Sequence, residues 1–119
     1  MTTWDSSYQV STAHSATGNT GTFTVDSFSD TLAKGVEWRY TVDNGSGTNM
    51  RTGILRTVFD TVADSTPLAP VDEHSEDIGT TWGVVTFSVA KSGNSVLLRA
   101  TVTTDGWTID VVRTLIGAS

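Results

Sequence analysis

Residues 84–115 read VVTFSVAKSGNSVLLRATVTTDGWTIDVVRTL, and this stretch decides the fold class. Val85, Phe87 and Val89 alternate with Thr86 and Ser88. Val96, Leu98, Ala100 and Val102 alternate with Arg99, Thr101 and Thr103. Trp107, Ile109 and Val111 alternate with Thr108 and Asp110. A period of two puts one set of side chains on a core face and the other in water, which is the pattern of half-buried strands. The links are short. Lys91-Ser92-Gly93-Asn94-Ser95 and Thr104-Asp105-Gly106 supply the Gly, Asn and Asp that tolerate turn conformations. The stretch predicts an antiparallel β-protein ending in a meander, with no mark of an active site.

The same alternation appears upstream. Residues 22–28 (TFTVDSF) begin as a strand with Phe23 and Val25 inward. In residues 35–42 (GVEWRYTV), Val36, Trp38, Tyr40 and Val42 share one face, and Glu37, Arg39 and Thr41 the other. Asp43-Asn44-Gly45-Ser46-Gly47 marks a turn. Residues 49–62 (NMRTGILRTVFDTV) form the next strand or strand pair. Their alternation slips at Ile54-Leu55 and again at Val58-Phe59, so a β-bulge near Gly53 or burial on both sides is expected. Residues 60–81 hold both prolines and a run of acids; they read as a long loop with a short edge strand around Leu68–Val71. Residues 1–20 are polar and weakly patterned. Trp4, Tyr8 and Val10 are their only large apolar groups, which suggests an extended arm that docks on its own domain, a sister subunit or a larger partner, with a frayed terminus as the alternative.

These segments predict one all-β domain: a single antiparallel β-sandwich, jelly-roll-like, of about seven to eight strands. The arm takes residues 1–20 and the sandwich residues 21–119. The expected core is Phe23, Val25, Trp38, Tyr40, Phe87, Val89, Leu98, Val102, Trp107 and Ile109. At 119 residues the chain buries a core without covalent staples.

Composition removes several function classes. There is no Cys, hence no disulfide framework and no thiolate metal site. The formal charge is −6, which argues against nucleic acid as a partner, because phosphate neutralisation needs clustered Lys and Arg. No apolar run is long enough for a membrane-spanning helix. The N-terminal MTTWDSSYQV lacks the basic and apolar regions of a signal peptide. A chain that begins with Met is expected to be a complete short gene product.

Candidate chemistry is sparse. His74 lies among Asp72, Glu73, Glu76 and Asp77, but the alternate oxygen ligands and glycine turn of a calcium loop are missing, so a solvated acidic loop is the reading. His14 has no nucleophile in a recognisable context. Asp60 and Asp64 are a carboxylate pair of the kind any acidic β-protein offers. No catalytic, metal or cofactor residue is therefore assigned. Trp38 and Trp107 fall in phase with core positions. Trp82 precedes a strand beside Gly83 and is expected at the surface, where an aromatic ring stacks on sugars. The candidate partner-binding residues are Trp4, Tyr8, Val10 and Trp82. Arg39, Arg51, Arg56, Arg99 and Arg113 are spread over several strands and are expected to pair with outward acids or to lie at subunit contacts.

Three segments together resemble a small β-sandwich module of tailed-bacteriophage virion proteins, of head-decoration, neck or tail-fibre type. They are GVEWRYTV with its polar turn, ILRTVFDT, and GVVTFSVAKSGNSVLLRATVTTDGWTIDVVRTLI. The second resembles a strand ending in a Phe-Asp-Gly-Thr-like turn, although Phe59-Asp60-Thr61 lacks the Gly. The third resembles the module's closing pattern of Thr-Phe-Ser, a Ser-Gly-Asn turn and a final Val-Val-Arg-Thr. The likeness covers roughly residues 21–116. It implies a structural and binding role on the virion rather than catalysis. It also implies a homo-oligomer, with a trimer favoured, and contacts to other virion proteins such as the major capsid protein. A receptor- or carbohydrate-binding module at a fibre tip is the alternative.

Overall fold

The inward and outward rows of the sequence are realised as two antiparallel sheets in the computed structural model. It describes residues 12–66 and 70–117, with the side chains at 12, 74 and 75 outside that description. Within these residues the strands are β1 (Thr12–Gly18), β2 (Gly21–Ser29), β3 (Gly35–Asp43), β4 (Met50–Val58), β5 (Val71–Ile78), β6 (Val85–Ser92), β7 (Ser95–Val102) and β8 (Trp107–Ile116). One sheet has five strands in the order β1-β8-β3-β4-β5; the other has three, β2-β7-β6. The expectation of an all-β antiparallel sandwich holds. The order establishes two packed sheets of unequal size and nothing finer about jelly-roll winding.

The core is the space between the sheets. Val25, Trp38, Tyr40, Val89, Leu98, Val102, Trp107 and Ile109 are buried there, as their phase required, while Phe23 and Phe87 pack partly buried at its margin. Fully burying side chains of this size contributes roughly 1.5–3 kcal/mol each.

Two strands lie where the sequence gave no strand signal. β1 occupies the second half of the expected arm and pairs with β8 from Thr12↔Arg113 to Gly18↔Trp107. Residues 1–11, including Trp4, Tyr8 and Val10, lie outside the described residues. β5 takes residues 71–78 of the expected loop at 60–81 as an acidic edge strand, VDEHSEDI, longer than and beyond the short edge strand expected around Leu68–Val71. Asp and Glu have poor strand propensity, so local pattern hid it. At an edge the same charges discourage unwanted pairing.

The closing meander also needs correcting. β6 and β7 do form a tight hairpin, with Ser92 opposite Ser95. Gly93 takes φ +59° in its two-residue loop, as a primed turn with Gly first requires. The next link, however, carries the chain across to the other sheet, where β8 inserts between β1 and β3. Gly106 turns at φ +87°, and Asp105 Oδ1 accepts hydrogen bonds from Thr20 N at 2.7 Å and Thr20 Oγ1 at 2.9 Å. This crossover ties the β1–β2 corner to the start of β8.

The bulge expected near Gly53 is not in β4; the extra residue lies on the strand facing it. β3 and β4 run in unbroken register, Gly35↔Val58 to Asp43↔Met50. The irregularity lies between β4 and β5, where Thr52 faces Glu76 and Ile54 faces Glu73, so the extra residue is on β5. A second bulge, between Thr24 and Asp26 of β2, leaves both Val25 and Asp26 facing inward.

Candidate functional site

Beyond the edge of the three-stranded sheet, the inner face of β4 and β5 is closed by the segment before β6, and here a cleft of about 130 Å³ opens. Arg51 is its floor. Register places Arg51 opposite Val42 on the inner face of β4, and its guanidinium is buried. Nε donates to Tyr40 Oη at 2.9 Å, Nη1 to Thr81 O at 3.3 Å and Nη2 to Val85 O at 3.0 Å. Tyr40 Oη donates to the Asp72 carboxylate at 2.9 Å, and Asp72 Oδ2 lies 4.0 Å from Arg51 Nη2. Thus a buried cation is met by a phenol, two carbonyls and a carboxylate, as a charge removed from water requires.

Trp82 caps this arrangement. The Arg51 guanidinium sits 4.2 Å from its ring centroid, in cation–π contact, yet the residue remains 54% exposed. Pro70, Asp72, Thr86 and Phe87 line the cleft beside it. The arrangement offers an apolar ring for stacking next to a carboxylate that accepts hydrogen bonds. The sequence placed Trp82 at the surface, and it is there. Arg51, expected among arginines that pair with outward acids, instead faces the interior, and the sequence carries this in its phase: Arg51 is two residues from Gly53 and four from the inward Leu55.

Other charged clusters lie inside the protein. The β2 bulge turns Asp26 inward, where its carboxylate accepts Trp38 Nε1 at 2.8 Å, Arg113 Nη1 at 2.9 Å and Ser27 N at 2.8 Å. His14 Nε2 lies 3.1 Å away. Asp26 therefore joins β1, β3 and β8 of one sheet to β2 of the other. Lys91 Nζ and Asp30 are fully buried partners 2.5 Å apart, and Nζ also donates to Asp60 O at 2.9 Å and Val62 O at 2.7 Å. Arg113 and Lys91 are thus interior pairs rather than surface ones. Arg56 behaves as expected of an outward residue, with Nε 3.1 Å from Glu37 Oε2 and Nη1 3.3 Å from Glu73 Oε2.

His14 is brought to Asp26, a carboxylate already committed to Trp38 and Arg113. Asp60 and Asp64 serve the loop between β4 and β5. Asp60 Oδ1 accepts from Val62 N and Ser65 Oγ, and Asp64 Oδ1 accepts from Gly93 N. The Ser65 hydroxyl, then the Val62 amide, hold the Asp60 carboxyl below its ordinary value. The side chain of His74 lies outside the described residues. Among the described residues no group of three or more His, Asp or Glu is placed to hold a metal ion.

The outer face of the five-stranded sheet is the other distinctive surface. Val58, Val71, Ile78, Val112 and Ile116 are all exposed there. Register sets Ile116 and Val58 on either side of Gly35, and Val112, Arg39, Ile54 and Glu73 in one row. Two shallow depressions of about 550 and 310 Å³ occupy opposite ends of this face, around Met50 and Ile78 and around Val58 and Ile116.

No protein family and no curated protein matches this sequence. Solved structures do resemble it. The tailspike protein of Acinetobacter phage vB_ApiP_P1 superposes with a TM-score of 0.53 at 16% identity, over 98% of this chain and 23% of that one. The tailspike protein gp49 of Acinetobacter baumannii bacteriophage Fri1, a capsular polysaccharide depolymerase, gives 0.50 at 11% identity, over 91% and 17%. The chain thus spans less than a quarter of either tailspike. At these identities the likeness is one of fold.

Proposed function

We propose that this chain is a structural module of a tailed-phage virion, of tail-spike or tail-fibre type, that acts by protein–protein contact and performs no catalytic step. The observation that carries this reading is the likeness of nearly the whole chain to a fragment of tailspike chains. The three sequence segments that resemble phage virion modules support it independently. So does the number of large apolar side chains exposed on the outer sheet face, Val58, Val71, Ile78, Val112 and Ile116, set among charged ones as at the mixed surface of a protein contact. The module works as a homotrimer seated on other virion proteins. A place on the head, as decoration or cement against the major capsid protein, is the variant of the same reading. Mass spectrometry of purified particles, followed by antibody labelling in electron micrographs, tests it. Label at the tail supports the tail-spike reading, label over the head supports decoration, and absence from particles refutes both.

A second reading rests on Trp82, an exposed ring in cation–π contact with a buried guanidinium beside Asp72. Rigid aromatic platforms of this kind stack on sugar rings, which makes the module a carbohydrate binder at a fibre tip. Binding of the full chain to host envelope polysaccharide, lost on Trp82→Ala, is the expected result. No binding by the unaltered chain refutes it.

A further inference from the structure

We propose that residues 1–8 of one copy add as a strand to the free edge of β1 in the next copy, so that copies are joined by exchanged arms. This rests on the self-assembling role proposed above and names its contact. β1 is the outermost strand of the five-stranded sheet, and among the described residues its one ladder is to β8. Gly18 O accepts from Gly106 N, so Gly18 turns its backbone toward the start of β8, and Ala16 and His14 do the same at every second residue. Ala13, Ser15 and Thr17 therefore turn N–H and C=O outward. Among the described residues none of these groups has a backbone partner. Their side chains are small and exposed. The other edges of the sandwich are blunted, as edges of stable monomers are. β5 is acidic and bulged, and β2 is bulged. In β6, Val85 N donates to Thr81 O and Val85 O accepts from Arg51 Nη2. β1 has no acid, no Lys, no Pro and no bulge.

The occupant follows from where the chain meets the sheet. Thr12 stands opposite Arg113, and β8 ends three residues later at Ile116. Its ladder has nothing to offer upstream of residue 9. Residues 9–13 (QVSTA) hold no Gly, Pro, Asn or Asp, so no turn is encoded there to fold residues 1–8 back on their own β1. Residues 1–8 (MTTWDSSY) reach about 26 Å at about 3.3 Å per residue, against about 16 Å for residues 13–17 of a neighbour's edge. Trp4 and Tyr8 are spaced to share one face of a strand, with Ser6 between them. The inward row of β1 beside which they fit is His14, Ala16 and Gly18, and the Phe23 ring stands where a Cβ on Gly18 would be. Phe23 is only partly buried at this margin. An aromatic pair laid along β1 covers that ring, and Trp and Tyr are side chains that anchor interfaces. Each copy gives one arm and accepts one, so arm and edge are each used once, and a head-to-tail exchange of this kind closes into a ring.

Light scattering on the full chain, with amide hydrogen exchange read by NMR, tests this. The expected mass is three times 12.6 kDa. Trp4→Ser combined with Tyr8→Ser is expected to lower it threefold with circular dichroism unchanged. The amides of Ala13, Ser15 and Thr17 are expected to be protected in the unaltered chain and to exchange at least about tenfold faster in that variant. Ser15→Pro removes an outward N–H and no bond to β8, so it is expected to lower the mass in the same way with the fold retained. A monomeric unaltered chain overturns the proposal. So do unprotected amides at Ala13, Ser15 and Thr17 in the oligomer, a readout that needs no substitution in β1. Protection and mass that survive the loss of Trp4 and Tyr8 overturn it as well, because β1 edges then pair with one another. None of these outcomes depends on particles, so a chain that exchanges arms but is absent from virions refutes the proposed function alone.

Discussion

Asp26→Asn is the substitution that most directly tests how the two sheets are held. Asn has nearly the same shape, so it leaves no cavity, and the change removes charge alone. In the native protein the Asp26 carboxylate is fully buried and accepts Trp38 Nε1, Arg113 Nη1 and Ser27 N at 2.8–2.9 Å. An amide offers one acceptor oxygen, and its NH2 group then points at donors. The Arg113 guanidinium, 12% exposed and stacked 5.0 Å from the Phe28 ring centroid, loses its counter-ion. Breaking one side of a buried ion pair costs about 3–5 kcal/mol. For a domain of this size that lowers the melting temperature by roughly 10–20 °C. Urea unfolding followed by tryptophan fluorescence measures it, with Trp38 as a reporter at the site. The midpoint is expected to fall with the slope unchanged, which identifies a loss of stability rather than a change in surface exposed. Arg113→Met alone and in combination completes a double-mutant cycle, and the double substitution is expected to cost less than the sum of the singles. A loss below about 1 kcal/mol for Asp26→Asn, the scale of an exposed pair, refutes the view of Asp26 as the inter-sheet tie.

Three further outcomes are expected. Lys91→Met leaves Asp30 buried without its cation and frees the carbonyls of Asp60 and Val62; a loss of about 3–5 kcal/mol and faster amide exchange over residues 60–65 are expected, and unchanged exchange refutes the anchoring role. Gly79→Ala places a Cβ at φ +75° against Thr48 O and the Asn49 side chain, so destabilisation of about 1–3 kcal/mol is expected, and a neutral result in thermal melts contradicts the turn geometry. The Thr20 amide, then the Thr20 hydroxyl, hold the Asp105 carboxyl below its ordinary value, so the corner gains stability above the unfolded carboxylate pKa and loses it as pH falls through the lower folded one; the Thr20 amide resonance is expected to titrate in that acid range and to become pH-independent in Asp105→Asn.

How far the sequence reached is clearest at β3. Val36, Trp38, Tyr40 and Val42 alternate without interruption, and all are buried. β6 and β7 were equally legible, because Gly93-Asn94 specifies a tight turn between two alternating runs. β5 was not: VDEHSEDI carries no apolar phase and exists because β4 offers it a ladder. Asp26 escaped for a related reason. A single extra residue in β2 turns it from the solvent side, where alternation put it, to the interior. Arg51 keeps the inward phase of β4 despite its charge, because Tyr40, Asp72 and two carbonyls receive its guanidinium. Of the candidate binding residues, Trp82 was legible from its flanking glycine and its position before a strand, while its guanidinium support was not.

By itself the sequence determined the class of the fold, the inward row of each strongly alternating strand, the β6–β7 hairpin and the exposure of Trp82. These follow from side-chain period and turn chemistry, which are local. Only the tertiary structure decided which sheet β8 joins, that an acidic segment becomes an edge strand, and that Asp26, Arg51 and Lys91 turn inward to partners up to 87 residues away in the chain. Those outcomes depend on what each strand finds beside it once the sheets pack, and a buried charge is placed by its distant partners rather than by its neighbours in sequence.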